Sequence, residues 1–353
     1  MIEIDGPGLR LSRSYFHDVV EPIVATVAPG LRYGAALIGP GSEVLGFDTE
    51  MSPDHDFGPR VLLFLDDSVV RPAVAAALER QLPASFAGRP TRFPLTHDVA
   101  GGAVHRVVLT DVGSWCRGHL GIDVSARPPR PVEWLGLPWQ RLAEATAGAV
   151  FRDDQGTLTA LRATLAWYPD DVWRYVLAGQ WLRISQEEPF VGRAGIVDDD
   201  LGSSVLAARL VRDVMRLALL LARAWPPYAK WLGTAFARLP DAGVLAPMLR
   251  RALRAGEWRE REAALCEAYE HCARTQNALG LAAAVDPTCR SFWDRPLRVL
   301  GAERFSDALF GAISDPEVAA LARIGNVDTF VDSTDVLADP ARSLAATAVL
   351  SPS

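Results

Sequence analysis

The hydrophobic period of this chain changes once, near Pro131, and that change limits the folds open to it. Upstream, short apolar runs (RYGAALIG, VLLFL, AVHRVVLTDV) alternate with turn residues, the pattern of strands. Downstream, LPWQRLAEATAGAVF, PDDVWRYVLAGQWLRISQ, SSVLAARLVRDVMRLALLLARAW and EREAALCEAYEHCARTQNAL place apolar residues at i, i+3, i+4 and i+7, the stripe of packed helices. The proline- and arginine-rich connector SARPPRP lies between them. The pattern predicts an α+β chain, with a strand-containing domain over 1–130 and an all-α helical bundle over 131–353. A length of 353 residues suits two domains at about 150 residues each.

Within the first part, Ser12 is placed to cap a helix through SYFHDVVEPIVATVA that stops before Pro29-Gly30. VRPAVAAALERQL reads as a further helix between two strands. In the second part, EEPFVGRAGIVDDDLGS reads as a long polar loop, with Asp200 or Ser203 capping the next helix.

A formal net charge of −7 supplies no basic field for a nucleic-acid backbone, so nucleic acid is not the expected partner. All the basic residues except Lys230 are arginine, which draws attention to the lysine beside Tyr228 and Trp231. Cys116, Cys266, Cys272 and Cys289 show neither disulfide nor zinc spacing and read as reduced thiols. The amino terminus lacks signal-peptide character. The longest apolar stretch, MRLALLLARAW, falls short of the roughly 20 residues a membrane span needs. A soluble cytoplasmic protein with no membrane partner is expected. Rossmann, P-loop and α/β-hydrolase signatures are absent, and His105 and His119 stand apart from any cysteine or aspartate cluster, so zinc is not expected.

The chemistry-bearing segment is GPGSEVLGFDTEMSPDHDFGPRVLLFL. Asp54 and Asp56 alternate, so on an extended strand both carboxylates point to one side, where hard oxygens suit magnesium, while His55 faces away. Gly41 permits close backbone approach to a phosphate, and Ser42 adds hydrogen-bond donors. Arg60, just after the acidic pair, and Arg193, between glycines, are cations suited to phosphate, and Lys230 would meet it as a point charge.

Gly41-Ser42 followed by Asp54-His55-Asp56 resembles the signature of the nucleotidyltransferase superfamily that includes DNA polymerase beta and kanamycin nucleotidyltransferase. The chain also resembles, over GSEVLGFD, SPDHDFGPR, YPDDVW, EEPFVGRAG, PPYAKWLGTAF and NVDTFVDSTDVL, a bacterial family of unassigned function that joins this fold to a helical carboxy-terminal domain. The resemblance implies a small mixed sheet flanked by helices, two magnesium ions held by Asp54 and Asp56, and transfer of a nucleoside monophosphate. It also implies a third carboxylate on a following strand. Asp111 and Asp123 are its candidates, and a group from the helical domain is the alternative.

The expected reaction moves an NMP, AMP first, from an NTP to a hydroxyl of a small polar or cationic acceptor, with pyrophosphate released. The helical domain would supply the acceptor pocket, with Glu187 and Asp199 binding a cation or holding a proton. Two alternatives stand beside it: a catalytically incomplete nucleotide-binding or partner-binding module, and a transferase acting on protein or tRNA in a toxin-antitoxin system.

Overall fold

The computed structural model describes residues 6–48, 58–94 and 102–351, so Asp54 and Asp56 lie outside the described residues. The chain is mixed α/β, with many helices and a small mixed sheet. It divides into two compact units, the first ending at Pro128 but taking back Arg141–Ala166, the second holding Pro129–Gln140 and the chain from Trp167 onward. Residues 141–166, helical in the sequence pattern and grouped there with the bundle, therefore count with the strand-bearing unit.

The sheet of the first unit is built from β1 (Gly34–Leu37), β2 (Val61–Phe64), β3 (Val107–Thr110) and β4 (Ala149–Asp153). Their order is β3-β2-β1-β4, with β1 antiparallel to both its neighbours and β3 parallel to β2. β4 falls where AGAVF was expected to continue a helix. Gly148 explains the difference. It adopts φ +69°, its N–H donates to the Val44 carbonyl at 2.8 Å, and a Cβ there would run into the Leu37 carbonyl. Only glycine ends the helix and lets the chain turn this tightly onto β1.

Ahead of the sheet, α1 (Pro7–Tyr15) passes through one π-helical turn (Phe16–Val20) into α2 (Glu21–Val27). Ser12 is not the cap that the sequence suggests, because the helix starts earlier. Pro7 opens it, needing no partner for an N–H it lacks, and Asp48 Oδ2 accepts the N–H of Gly8 at 2.9 Å. The cap thus comes from a residue distant in sequence. Ser12, buried inside α1, instead accepts the Arg60 N–H at 3.3 Å. Tyr15, Phe16, Leu63, Leu78 and Val107 share the core beneath, with α3 (Arg71–Gln81) contributing Val74 and Leu78. α4 (Val112–Leu120) follows β3.

The second unit begins with α5 (Pro131–Gly136), and the chain crosses to the first unit within α6 (Trp139–Thr146), where α7 (Thr157–Thr164) follows β4. Further helices follow, among them α8 (Asp170–Glu187), α9 (Phe190–Ile196), α10 (Asp200–Leu221), α11 (Ala229–Ala237), α12 (Ala242–Arg254), α13 (Trp258–Leu279) and α14 (Glu303–Gly311). α9 replaces the polar loop read from the sequence. Its glycines signal close packing: a Cβ on Gly192 would lie 2.8 Å from Glu262 Oε1, and one on Gly195 would lie 2.5 Å from Trp258 Cβ. No helix among the described residues is long and apolar enough to cross a membrane.

Glu188, just past α8, is buried and accepts the N–H groups of Leu300 at 2.7 Å and Ala302 at 2.8 Å. Burial pushes its carboxyl up to about 7, against the pull of those hydrogen bonds. The native state therefore keeps a proton that the unfolded chain has released, and the associated stability is present below about pH 4.5 and lost as pH rises through about 7. Measured by urea unfolding against Glu188→Gln, wild-type stability should fall by roughly 2–4 kcal/mol between about pH 4.5 and pH 8. Parallel curves for the two proteins would show that the carboxylate stays ionised.

Candidate functional site

β1 ends at Leu37 and the chain turns into a compact loop. Val44 N–H donates to Gly41 O at 3.2 Å, Gly46 N–H to Glu43 O at 3.2 Å and Phe47 N–H to Ser42 O at 2.9 Å. Antiparallel pairing sets Ala36 opposite Leu62, so this loop leaves the sheet at the end where residues 58–60 enter β2. Arg60 joins the two segments. Its Nη2 donates to the Pro40 carbonyl at 2.9 Å and pairs with the Glu43 carboxylate. Glu43 is 2% exposed, so a charged group is held inside the loop by a guanidinium.

Gly41 is needed twice over. It sits at φ +140°, and a Cβ would lie 2.6 Å from Glu43 Oε2 and run into Arg60 Nη2. Ser42 is 4% exposed, turned into the loop rather than presented at the surface. Arg60, expected at the nucleotide, directs its guanidinium to Glu43 and Pro40.

The loop is braced from behind. Gly39 N–H donates to Glu144 O at 2.9 Å. His119, stacked on Trp115 with ring centroids 4.7 Å apart, lies with Nε2 3.2 Å from the Arg141 carbonyl, Nδ1 3.3 Å from Arg141 Nη1 and Glu144 Oε2 3.4 Å away. Burial, then the Arg141 charge, pushes His119 down to about 3. The ring is neutral near pH 7, with Nε2–H donating to the carbonyl and Nδ1 accepting from the guanidinium.

The two candidates for the third carboxylate have other partners. β3 runs parallel to β2, with Val61 opposite Val107 and Phe64 opposite Thr110. Asp111 therefore follows the far end of the strand, roughly 10 Å along the sheet from the end where Gly41 meets Arg60. It caps α4, Oδ1 accepting the Ser114 N–H at 2.7 Å, with Arg71 Nη2 3.5 Å from Oδ2. The Ser114 hydrogen bond holds its carboxyl below the usual range. Asp123 pairs with Arg117 and accepts the N–H groups of Ser125 at 3.1 Å and Ala126 at 3.3 Å, closing its own turn. The hydrogen bonds and ion pairs just named tie both to α3, α4 and the turn after it. Among the described residues, no group of three or more His, Cys, Asp or Glu lies close enough to hold a metal ion.

In the second unit, Glu187 ends α8 and pairs with Arg183 at 2.8 Å and Arg209 at 2.9 Å. Asp199 caps α10, accepting the Gly202 N–H at 2.8 Å. Arg193 is exposed over the Phe190 ring at 5.2 Å, and Lys230, also exposed, lies 4.7 Å from the Trp231 ring in the first turn of α11. The hydrogen bonds, ion pairs and ring contacts just named each take one of the four to a different partner. Glu43, Arg141, Glu144, Arg183 and Arg209 were not singled out by the sequence: Glu43 and Arg209 pair with distant segments, and Arg141–Glu144 and Arg183–Glu187, at i,i+3 and i,i+4 within one helix, carry a spacing too common to mark a site.

A domain family of unknown function, DUF4037, matches residues 134–232. The match covers Glu187, Arg193, Asp199 and Lys230 but not the loop at Gly41. Among curated proteins, none matches the chain.

Gly41→Ala is expected to lower stability by at least about 1–2 kcal/mol from backbone strain alone, and Arg60→Met by about 3 kcal/mol through loss of Glu43's guanidinium. Urea unfolding checks both; values within about 0.5 kcal/mol of wild type would show that the loop closes by other means.

Proposed function

We propose that the protein transfers a nucleoside monophosphate, AMP first among the choices, from a nucleoside triphosphate to a hydroxyl of a small polar or cationic acceptor. The reading is carried by one observation: the Gly41-Ser42 loop docks through Glu43 and Arg60 onto the chain that follows Asp54-His55-Asp56. The phosphate-loop candidate thus meets, at Arg60, the segment that follows the acidic pair in the sequence. In the reaction the acceptor oxygen bonds to the α-phosphorus, the bond from that phosphorus to the pyrophosphate oxygen breaks, and the acceptor proton leaves to a base. Gly41 lets the main chain approach the phosphates, and the Arg60–Glu43 pair keeps that turn closed. Asp54 and Asp56 are the hard-oxygen donors suited to magnesium, which when bound neutralises charge on the leaving pyrophosphate.

A second reading, a nucleotide-binding module without turnover, draws support from the partners of Asp111 and Asp123, which cap a helix and close a turn. The two part on a single assay. With magnesium, an NTP and a panel of hydroxylated acceptors, pyrophosphate release should appear and fall by at least about 100-fold in both Asp54→Ala and Asp56→Ala. Turnover surviving either substitution would sink the transferase reading; NTP binding by calorimetry with no turnover on any acceptor would favour the module.

A further inference from the structure

A cavity of about 400 Å³ opens in the first unit where β1 begins and β4 ends, at the end of the sheet away from the Gly41 loop. Small-molecule sites run from roughly 300 to 1,000 Å³, so the volume is sufficient for a compact ligand. The floor of the cavity is apolar. Val24 of α2 is 1% exposed and belongs to the core of the unit, with Ala28 and Leu31 packed against that core. Gly30 turns the chain from α2 towards β1 at φ +77°, and a Cβ there would meet nothing within 4 Å.

The wall is charged, and its two arginines differ. Arg152 is matched by two carboxylates, Nη1 donating to Glu21 at 2.8 Å and Nε to Asp154 at 2.8 Å, with its guanidinium 4.5 Å over the Tyr33 ring. Burial pushes the Tyr33 hydroxyl up to about 12, so the ring adds no charge near pH 7. Arg32 is exposed; its Nη2 donates to the main-chain carbonyl of Asp154 at 2.6 Å, and among the described residues it pairs with no carboxylate. The cavity therefore offers one guanidinium without a counter-charge beside an apolar floor. A phosphate dianion would set its second charge against Asp154 and Glu21, and an ammonium ion would meet two guanidinium groups. A monocarboxylate matches the planar fork of Arg32 with a single charge, and an apolar body attached to it would cover Val24, Ala28 and Leu31.

We propose that this cavity binds a small organic monocarboxylate with an acyl or aryl body, its carboxylate on Arg32 and its body on Val24, Ala28 and Leu31. The site does not depend on the nucleotide chemistry, and the test is run on the full chain without nucleotide or magnesium. Titration calorimetry uses hexanoate and benzoate as probes, with acetate for the charge alone, hexanol for the apolar body alone and inorganic phosphate for a higher charge. At least one of the two acids should saturate, with each comparison compound at least about ten-fold weaker, the factor that loss of a charge-assisted hydrogen bond or of the apolar contact brings. Arg32→Gln, at an exposed position, should weaken the acid by a similar factor. Ala25→Phe, which adds a ring to the cavity lining from an exposed turn of α2, should do the same and locates the site independently. Absence of saturation with both acids, equal affinity for acetate, hexanol or phosphate, or full affinity in an Arg32→Gln or Ala25→Phe protein that keeps the wild-type circular dichroism would overturn the proposal.

Discussion

β1 is paired along both edges, by β2 and β4, and all four of its residues are buried. A buried strand with an open edge would leave N–H and C=O groups without partners, so the first unit depends on both neighbours arriving. One of them, β4, comes after the chain has passed into the second unit and returned. A strand domain cut at residue 130 would expose one edge of β1 and remove Gly148 and Glu144, which hold the Gly41 loop from behind. The loop's geometry is thus a property of the whole unit, fixed by contacts distant in sequence.

The same constraint gives the Glu43–Arg60 pair its weight. Burying a carboxylate in a turn is costly unless a guanidinium and main-chain groups satisfy it. Here Arg60 meets Glu43 and the Pro40 carbonyl together, which point-like lysine does less well than a planar fork. Glycine at 41 is then forced, because the guanidinium and carboxylate occupy the space a side chain would need. A loop so held is tied by side-chain and main-chain contacts at both ends.

How much of this was legible in the sequence depended on whether the signal was local. β1 and β2 were readable as apolar runs bounded by glycine and proline, and α8, α10 and α13 as long apolar stripes. β4 was hidden because AEATAGAVF continues a helical spacing, and the turn at Gly148 is demanded by the Leu37 carbonyl, which no window of sequence contains. α9 was hidden for the related reason that Gly192 and Gly195 read as loop formers although Glu262 and Trp258 require them. At the candidate site, Gly41 was singled out for its spacing to the acidic pair, but the reason for glycine seen in the structure, the Glu43–Arg60 pair filling the space of a Cβ, was not legible because no local pattern marks those two as partners. Asp111 carried two meanings at once, strand-end carboxylate and helix cap; the Ser114 hydrogen bond shows the second in use.

Arginine's near monopoly among the cations then shows its structural use. Arg152 reaches Glu21 and Asp154 together, and Arg183 and Arg209 converge on one oxygen of Glu187, whereas Lys230 lies exposed over Trp231. Many guanidinium groups in this fold approach carboxylates to hydrogen-bonding distance, though Arg223 stays 3.9 Å from Asp170 and Arg274 3.6 Å from Glu270. Asp213 belongs with the looser pairs, although it is deeply buried. Two arginines flank it, yet both Nε atoms stop at 3.7–3.8 Å. Side chains as long and jointed as arginine have the reach to close such a gap. Arg183 and Arg212 are instead held outward by Glu187 and Asp332. The separation is set by the network, and it leaves Asp213 a buried carboxylate whose charge is met by two guanidinium groups at ion-pair distance rather than by direct hydrogen bonds.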